Sequence, residues 1–213
     1  MENDENNKCR IHKNSKIRQE HAVTKLDHTL SDEHLMMVKE PPMPSVEPDL
    51  PKGYRYAKPN EELIEQWKQA LVDLDFVQTM EEAQFQWKRM TMVDEPFLWK
   101  HLYLVVDQKG KLACTTGIWF YTGAKQGIRL HWVFTTPKHQ KRGLARMIVQ
   151  KASYEFGKEF PGQSLYLSTQ ASSWPAIVLY EQEGFKPLIV DNASSQAWKK
   201  AKKQVFEKSG VKI

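Results

Sequence analysis

Gly127–Phe160 reads GIRLHWVFTTPKHQKRGLARMIVQKASYEFGKEF and is the stretch that decides how this chain folds. Residues Ile128–Thr136 are rich in β-branched and aromatic side chains and end at Pro137, which predicts a buried strand. From about Gly143 to Phe156, apolar residues recur at three- and four-residue spacing, which predicts an amphipathic helix. A short loop therefore leads from the strand directly into the helix.

This loop has the features of an anion-binding site. The first turn of a helix carries backbone N–H groups without intrahelical partners and a partial positive charge. Gly143 has no Cβ and Ala145 is nearly as small, so a ligand can approach the backbone closely. Lys141, Arg142 and Arg146 add cations around the same point. The segment therefore predicts a site for a phosphate or pyrophosphate.

Two motifs resemble those of the GCN5-related N-acetyltransferase (GNAT) family. Gln140–Ala145 reads QKRGLA and is similar to the family's Q/R-x-x-G-x-G/A motif, which also follows a strand and opens a helix. Leu179–Phe185 reads LYEQEGF and is similar to the family's L-Y-x-x-x-G-F motif. The separation between the two motifs is also typical of the family. The resemblance covers roughly residues 51–190.

The resemblance implies the acyl-CoA N-acyltransferase fold of the α/β (α+β) class. This fold has a mixed, mostly antiparallel sheet with splayed central parallel strands and flanking helices. Periodicity and turn residues predict strands at Gly53–Pro59, Leu98–Val106, Leu112–Tyr121, Ile128–Thr136, Ser164–Thr169 and Lys186–Val190. Helices are predicted at Glu61–Leu74, from Thr79, at Gly143–Phe156, from Pro175 to Gly184 and at Asn192–Phe206.

Acetyl-CoA is the cofactor that the resemblance implies. The family binds the pantetheine arm along the end of the central strand, here Val133, Phe134 and Thr135. It binds the pyrophosphate on the loop and the first helical turn, here Gln140, Lys141, Arg142, Gly143, Leu144, Ala145 and Arg146. Ser173 falls where relatives often place an asparagine that contacts the cofactor. No metal is expected.

Two residues are candidates for catalysis. Tyr180 lies in the second motif and is the candidate general acid, although it could instead pack between helix and sheet. His131, on the central strand, has a suitable pKa range for a general base, and a hydrogen-bonded strand histidine or a water chain are the alternatives. Trp119, Tyr121 and Trp132 line either an acceptor pocket or the core. Strand alternation predicts that Trp132 faces away from His131.

Composition and charge divide the chain in two. Residues 1–50 contain 7 Lys/Arg and 10 Asp/Glu, whereas residues 51–213 contain 24 and 16. We expect residues 1–50 to be a flexible extension with a Pro-rich linker, and residues 51–213 to be the GNAT domain. Whether residues 1–35 belong to the native product stays open. Cys9 and Cys114 are the only cysteines, which fits a reducing cytoplasm.

The leading function is therefore acetyl transfer from acetyl-CoA to a primary amine of a small molecule or a protein. A catalytically silent CoA-binding sensor or interaction module is the alternative, and transfer of a longer acyl chain or transfer to a hydroxyl is a third. The sequence has no apolar run long enough to span a membrane and no recognised nucleic-acid motif. A homodimer stays open, and so does the identity of the acceptor.

Overall fold

The computed structural model describes residues 24–120 and 127–213. The strands in these residues are β1 (Leu35–Lys39), β2 (Tyr54–Ala57), β3 (Leu102–Asp107), β4 (Leu112–Phe120), β5 (Ile128–Thr135), β6 (Leu165–Thr169) and β7 (Lys186–Pro187). The α-helices are α1 (Glu61–Asp73), α2 (Met80–His101), α3 (Leu144–Glu159), α4 (Trp174–Gln182) and α5 (Asn192–Ser209). Two short 3₁₀ helices lie at Pro137–His139 and Ala171–Ser173.

The strands form one mixed sheet in the order β2-β3-β4-β5-β6-β1-β7. β5 and β6 are parallel, and the other neighbours in the described sheet are antiparallel. The parallel pair follows from the chain, because α3 connects the two strands as a crossover. The predicted mixed sheet with central parallel strands is therefore confirmed. Among the described residues, no helix combines the length and apolar character needed to cross a bilayer.

Helices cover both faces of the sheet. In β3, Leu104 and Val106 pack with α1 and α2, whereas Val105 packs with α3. Because successive side chains of a strand point to opposite faces, α1 and α2 lie on one face and α3 on the other. The helices α4 and α5 share a core cluster with α3. β4 runs between both layers, and its first seven residues are buried.

Several helix ends form as the capping residues predict. Asn60 accepts a hydrogen bond from the backbone N–H of Leu63 at 2.9 Å and begins α1. Thr79 accepts from the N–H of Glu82 at 3.1 Å and begins α2. Each cap satisfies one of the N–H groups that a helix leaves unpaired at its start. The sequence predicts these two helix starts because the capping side chain bonds to a residue only three positions later in the chain.

The predicted start of the strand at Leu98 is wrong, because α2 continues to His101. The helix breaks at Asp94, whose φ is −158°, and then resumes. Asp94 caps the second part by accepting from the N–H of Phe97 at 2.9 Å, and Pro96 fits a first helical turn. The same Asp-x-Pro signal stands in the sequence and predicts a helix start. β3 therefore begins only at Leu102.

The prediction that residues 1–50 form a flexible extension and linker is wrong for Leu35–Lys39. These residues are β1, which pairs with β6 on one side and with β7 on the other. Leu35 and Met37 are buried in the main core cluster. The domain therefore begins before residue 51, and β7 covers only Lys186–Pro187 instead of extending to Val190. Residues 1–23 lie outside the described part of the chain.

Replacing Met37 by alanine tests whether β1 belongs to the core. The Met37 side chain is fully buried, so Met37→Ala should lower the free energy of unfolding by about 2–5 kcal/mol. Met36→Ala on the partly exposed face of the same strand is the matched control and should cost about 1 kcal/mol or less. Urea unfolding measures both, and equal effects would contradict this placement of β1.

Candidate active site

A bulge in β5 shapes the centre of the candidate site. The register of β4 against β5 shifts between Thr115 and Gly117, so Thr116 faces two residues of β5 instead of one. Trp132 has a φ of 50°, a left-handed conformation that a tryptophan rarely adopts. The Thr116 hydroxyl donates to the carbonyl of His131 at 3.0 Å. A bulge of this kind leaves a residue outside the ladder and re-aims side chains.

β5 and β6 pair over a short distance and then part. Their register pairs are Arg129 with Tyr166 and Leu130 with Leu167. β5 continues to Thr135, so the carboxyl-terminal half of β5 has left the β6 ladder. Parallel strands that separate leave backbone N–H and C=O groups along the opening, where a ligand with amide groups can pair as an added strand does. The predicted splay of the central strands is therefore present.

The loop that follows β5 is exposed to solvent where it enters the first turn of α3. Gly143 precedes α3 with a φ of 78°, a conformation that favours glycine. A Cβ added at Gly143 would meet no described atom within 4 Å, so the space beside this residue is open. Gly143 makes no side-chain cap and the first turn carries no acidic residue. The N–H groups of this turn therefore face an opening suited to an anion.

The cationic side chains of the loop differ in the hydrogen bonds and ion pairs that they form. Lys141 is exposed and has a φ of 61°. Arg142 donates to the carbonyl of Lys138 at 3.2 Å and so closes the loop on itself. Arg146 is bound to α4, since it forms an ion pair with Glu183 at 3.0 Å and a hydrogen bond with Gln182. The side chain of Arg146 is thus already paired with α4, and its role in binding stays a prediction.

The predicted cofactor-binding residues on β5 have mixed surroundings. Phe134 is buried against α1 and α2, so only its backbone can face a ligand. Thr135 is buried, and its hydroxyl donates to the Cys114 sulfur at 3.4 Å. Val133 is partly exposed. Ser173 ends the 3₁₀ turn before α4, where its backbone N–H donates to the carbonyl of Gln170 at 2.9 Å.

Tyr180 lies in the core beneath the parting strands. Only 6% of the residue is exposed, and it belongs to the cluster that contains Leu130 and Leu167, the last paired residues of β5 and β6. Its ring contacts Phe185 edge-on at 5.9 Å. Burial raises the pKa of Tyr180 above its ordinary value of 10. Proton release is therefore unfavourable, and the hydroxyl is suited to donating a hydrogen bond.

The surroundings of His131 lower its basicity. Its ring stacks on Trp119 at 4.0 Å with an angle of 8° between the planes. Burial, followed by the positive charges of Arg129 and Arg89, lowers the pKa of His131 to about 3. Taking a proton from an ammonium group with a pKa near 10.4 would be uphill by about 10 kcal/mol. This result argues against His131 as the general base.

The prediction that Trp132 faces away from His131 is wrong. Trp132 contacts Trp67 of α1 at 5.6 Å, and His131 stacks on Trp119, which packs with the same α1–α2 cluster. The bulge supplies the physical reason, because an extra residue breaks the alternation of side chains. Trp119 and Trp132 are partly buried and pack against the α1–α2 core cluster. Tyr121 lies outside the described residues.

A polar cluster beneath the loop was not predicted. The Tyr54 hydroxyl lies 3.0 Å from Nδ1 of His139, and Nε2 of His139 lies 3.7 Å from the Asp107 carboxylate. Asp107 also accepts from the N–H groups of Lys109 and Lys111 in the β3–β4 turn. The cluster joins the loop after β5 to β2 and β3. Its members are far apart in sequence, and no local pattern links them.

Comparison with known proteins finds a family model that matches the part of the chain containing this site. A family model described as an acetyltransferase (GNAT) domain matches residues 99–187, which contain both motifs. The resemblance inferred from the sequence is therefore confirmed. No curated protein matches the chain in sequence.

Solved structures share the fold. A GCN5-related N-acetyltransferase from Sphaerobacter thermophilus has a TM-score of 0.56 at 19% identity, covering 73% of this chain and 48% of that one. A GNAT-family acetyltransferase from Colwellia psychrerythraea gives 0.54 at 13%, covering 72% and 52%. A protein assigned to the same family from Bordetella pertussis gives 0.53 at 15%, covering 68% and 93%. This chain spans about half the length of the first two structures.

Titration of His131 tests the description of its surroundings. The unfolded chain binds a proton at this histidine below about pH 6.5, whereas the folded protein does so only near pH 3. Above pH 6.5 the difference vanishes, so stability is lost as the pH falls from about 6.5 towards 3. The loss is at most about 1.4 kcal/mol per pH unit. His131→Gln should therefore be less acid-sensitive than wild type in urea unfolding at pH 7 and pH 5. An imidazole that titrates near pH 6.5 by NMR would refute the lowered pKa.

Proposed function

We propose that this chain, whose residues 99–187 match a GNAT acetyltransferase domain, transfers an acetyl group from acetyl-CoA to a primary amine of a small molecule or a protein. One observation carries the proposal. The uncapped first turn of α3 opens at Gly143, and the same loop follows the half of β5 that has parted from β6. A pyrophosphate site and a slot for the pantetheine amides are thus consecutive along the chain.

The residues present fit the charged part of this cofactor. The open space before Gly143 accommodates phosphate oxygens, and the N–H groups of the first turn can donate to them. A helix N-terminus contributes about 0.3–1 kcal/mol through its dipole, and each hydrogen bond to a charged group contributes about 1.5–3 kcal/mol. Lys141 supplies an exposed cation beside this turn. Binding rests on the backbone more than on side chains, since Arg146 is paired with Glu183.

The backbone of β5 would also orient the reacting carbonyl. When bound, acetyl-CoA supplies the activated acetyl group. Successive N–H groups of a strand point to opposite sides, so some of those in Val133–Thr135 face the parted edge of β5. One of these would donate to the carbonyl oxygen as negative charge develops there. The bulge at Trp132 supports this arrangement, because it fixes the direction of the backbone just before these residues.

Proton transfer is divided between a side chain and solvent in this proposal. Tyr180 holds a proton at its hydroxyl, and its raised pKa favours a hydrogen bond to the leaving sulfur over full proton transfer. We assign removal of the amine proton to a water chain, since the lowered pKa of His131 makes it too weak a base. His131 and Trp119 would then form part of the wall on the α1–α2 side of the sheet.

The second candidate is a CoA-binding module without turnover. The burial of Tyr180 and the low pKa of His131 favour it, because both reduce the acid–base chemistry available at the site. A thiol-release assay over a panel of amines separates the candidates. Binding of CoA with no thiol release for any amine would favour the silent module, and release with one amine would establish transfer.

Replacing Gly143 by aspartate tests the pyrophosphate site. A carboxylate placed in the open space repels the phosphates, and like charges across an interface cost several kcal/mol. Gly143→Asp should therefore weaken CoA binding in calorimetry by on the order of a hundredfold or more. Gly162→Asp is the matched control, because Gly162 has a φ of 79° and equally open surroundings but lies after α3. If both variants bind CoA like wild type, the site lies elsewhere.

Replacing Tyr180 by phenylalanine tests its hydroxyl. Tyr180→Phe keeps the ring in the core and should lower turnover tenfold to a hundredfold, or about 1.4–2.7 kcal/mol. Tyr103→Phe is the control, because burial also raises the pKa of Tyr103 although it lies on β3, away from the parted strands. Thiol release is measured at saturating amine, with the melting temperature of each variant. Unchanged turnover in Tyr180→Phe would assign this residue to packing alone.

A further inference from the structure

The segment Thr24–Ser31, here called the strap, contacts the loop that follows β5. The backbone N–H of Thr24 donates to Oε1 of Gln140 at 2.6 Å, and Nε2 of Gln140 donates to the carbonyl of Thr24 at 2.9 Å. Nε2 of Gln140 also lies 3.3 Å from the carbonyl of Thr135, the last residue of β5. One end of the strap is therefore hydrogen-bonded to a residue of the proposed pyrophosphate loop.

The other end of the strap contacts the turn that follows β6. The N–H of Asp27 donates to the carbonyl of Ser172 at 2.8 Å, and the N–H of Ser172 donates to the carbonyl of Ser31 at 3.1 Å. The Ser172 hydroxyl also donates to Asp32. Ser172 directly precedes Ser173, which is also a candidate cofactor-binding residue. The strap thus connects the carboxyl-terminal ends of the two strands that part.

The two bonded ends of Thr24–Asp27 and its short length place this segment across the gap between β5 and β6. The three residues from Thr24 to Asp27 span at most about 11 Å when fully extended. Their two ends are bonded to Gln140 on the β5 side and to Ser172 on the β6 side. The backbone of these residues therefore runs from one side of the splay to the other. A pantetheine arm that enters between β5 and β6 from the pyrophosphate loop has to cross the same line.

The two halves of the strap are held with different strength. The second half is fixed by backbone hydrogen bonds of Asp27 and Ser31 with Ser172. Lys208 of α5 adds an ion pair with Asp27 at 2.8 Å. Leu30 packs against the main core cluster. The first half has the Gln140 bonds and an exposed ion pair between Lys25 and Asp75 at 3.1 Å. Exposed ion pairs contribute little and weaken with salt, so this half can release without unfolding the domain.

We propose that Thr24–Asp27 closes the cofactor cleft in the unliganded protein and swings away, about Asp27, when acetyl-CoA binds. This inference rests on the proposed function, because it takes the cleft between β5 and β6 as the cofactor site. The strap competes with the cofactor for Gln140 and for the gap between the strands. Apparent affinity falls with the fraction of open molecules, so a strap closed in about nine molecules of ten weakens binding about tenfold.

Two variants of the full chain separate the strap from the rest of the site. Thr24→Pro removes the N–H that donates to Gln140, and Lys25→Ala removes the ion pair with Asp75. Thr24→Ala is the matched control, because the two hydrogen bonds between Thr24 and Gln140 use the Thr24 backbone. The Thr24→Pro/Lys25→Ala double variant should bind CoA about three- to tenfold more tightly than wild type in calorimetry, whereas Thr24→Ala should bind like wild type.

Hydrogen exchange provides an independent measurement on wild type. The amide of Thr24 should be protected in the free protein by its bond to Gln140, and the peptide that contains Thr24–Asp27 should exchange faster when CoA is bound. Equal affinity of the double variant and wild type, or weaker affinity of the double variant, would overturn the strap while leaving the cofactor site intact. Absence of CoA binding in all three chains would overturn the proposed function and the strap together.

Discussion

The parting of β5 from β6 is the constraint on which the rest of the structure depends. Two register pairs, ending at Leu130 and Leu167, hold the strands parallel before they separate. The bulge at Trp132 turns the backbone of β5 at the same level. The core beneath closes the cleft, since Tyr180 packs there with the last paired residues. The cleft is therefore a product of backbone geometry, and its floor is a product of side-chain packing.

The electrostatics of the cleft follow from this geometry. Because α3 begins right after the loop from β5, the positive end of its dipole faces the opening. The cationic side chains add less positive charge to the opening than their number suggests. Arg146 is paired with Glu183, and Arg142 forms a hydrogen bond within its own loop. Binding of an anion would thus rely on N–H groups that are fixed in place. The strap places neutral backbone, anchored through Gln140, beside this loop and across the gap between β5 and β6.

Sequence reasoning succeeded where a structural signal is local. Asn60 and Thr79 begin helices, as capping residues three positions ahead of their partners predict. The predicted strand start at Leu98 is wrong, because Asp94 caps a further helical segment that runs to His101. The predicted flexible extension is also wrong at Leu35–Lys39. This short apolar segment pairs with β6, some 130 residues later in the chain. A short segment carries too little periodicity to reveal a distant partner.

The sequence by itself determined the strand, loop and helix around Gly143 and supplied the two motifs that resemble those of the GNAT family. Glycine conformation and helix starts depend on neighbouring residues, so both are visible locally. Only the tertiary structure decided the direction of Trp132, the low basicity of His131 and the position of Thr24. The reason is physical: strand register, burial and long-range hydrogen bonds are fixed by atoms that the chain brings together from distant positions. These contacts exist only once the sheet has assembled.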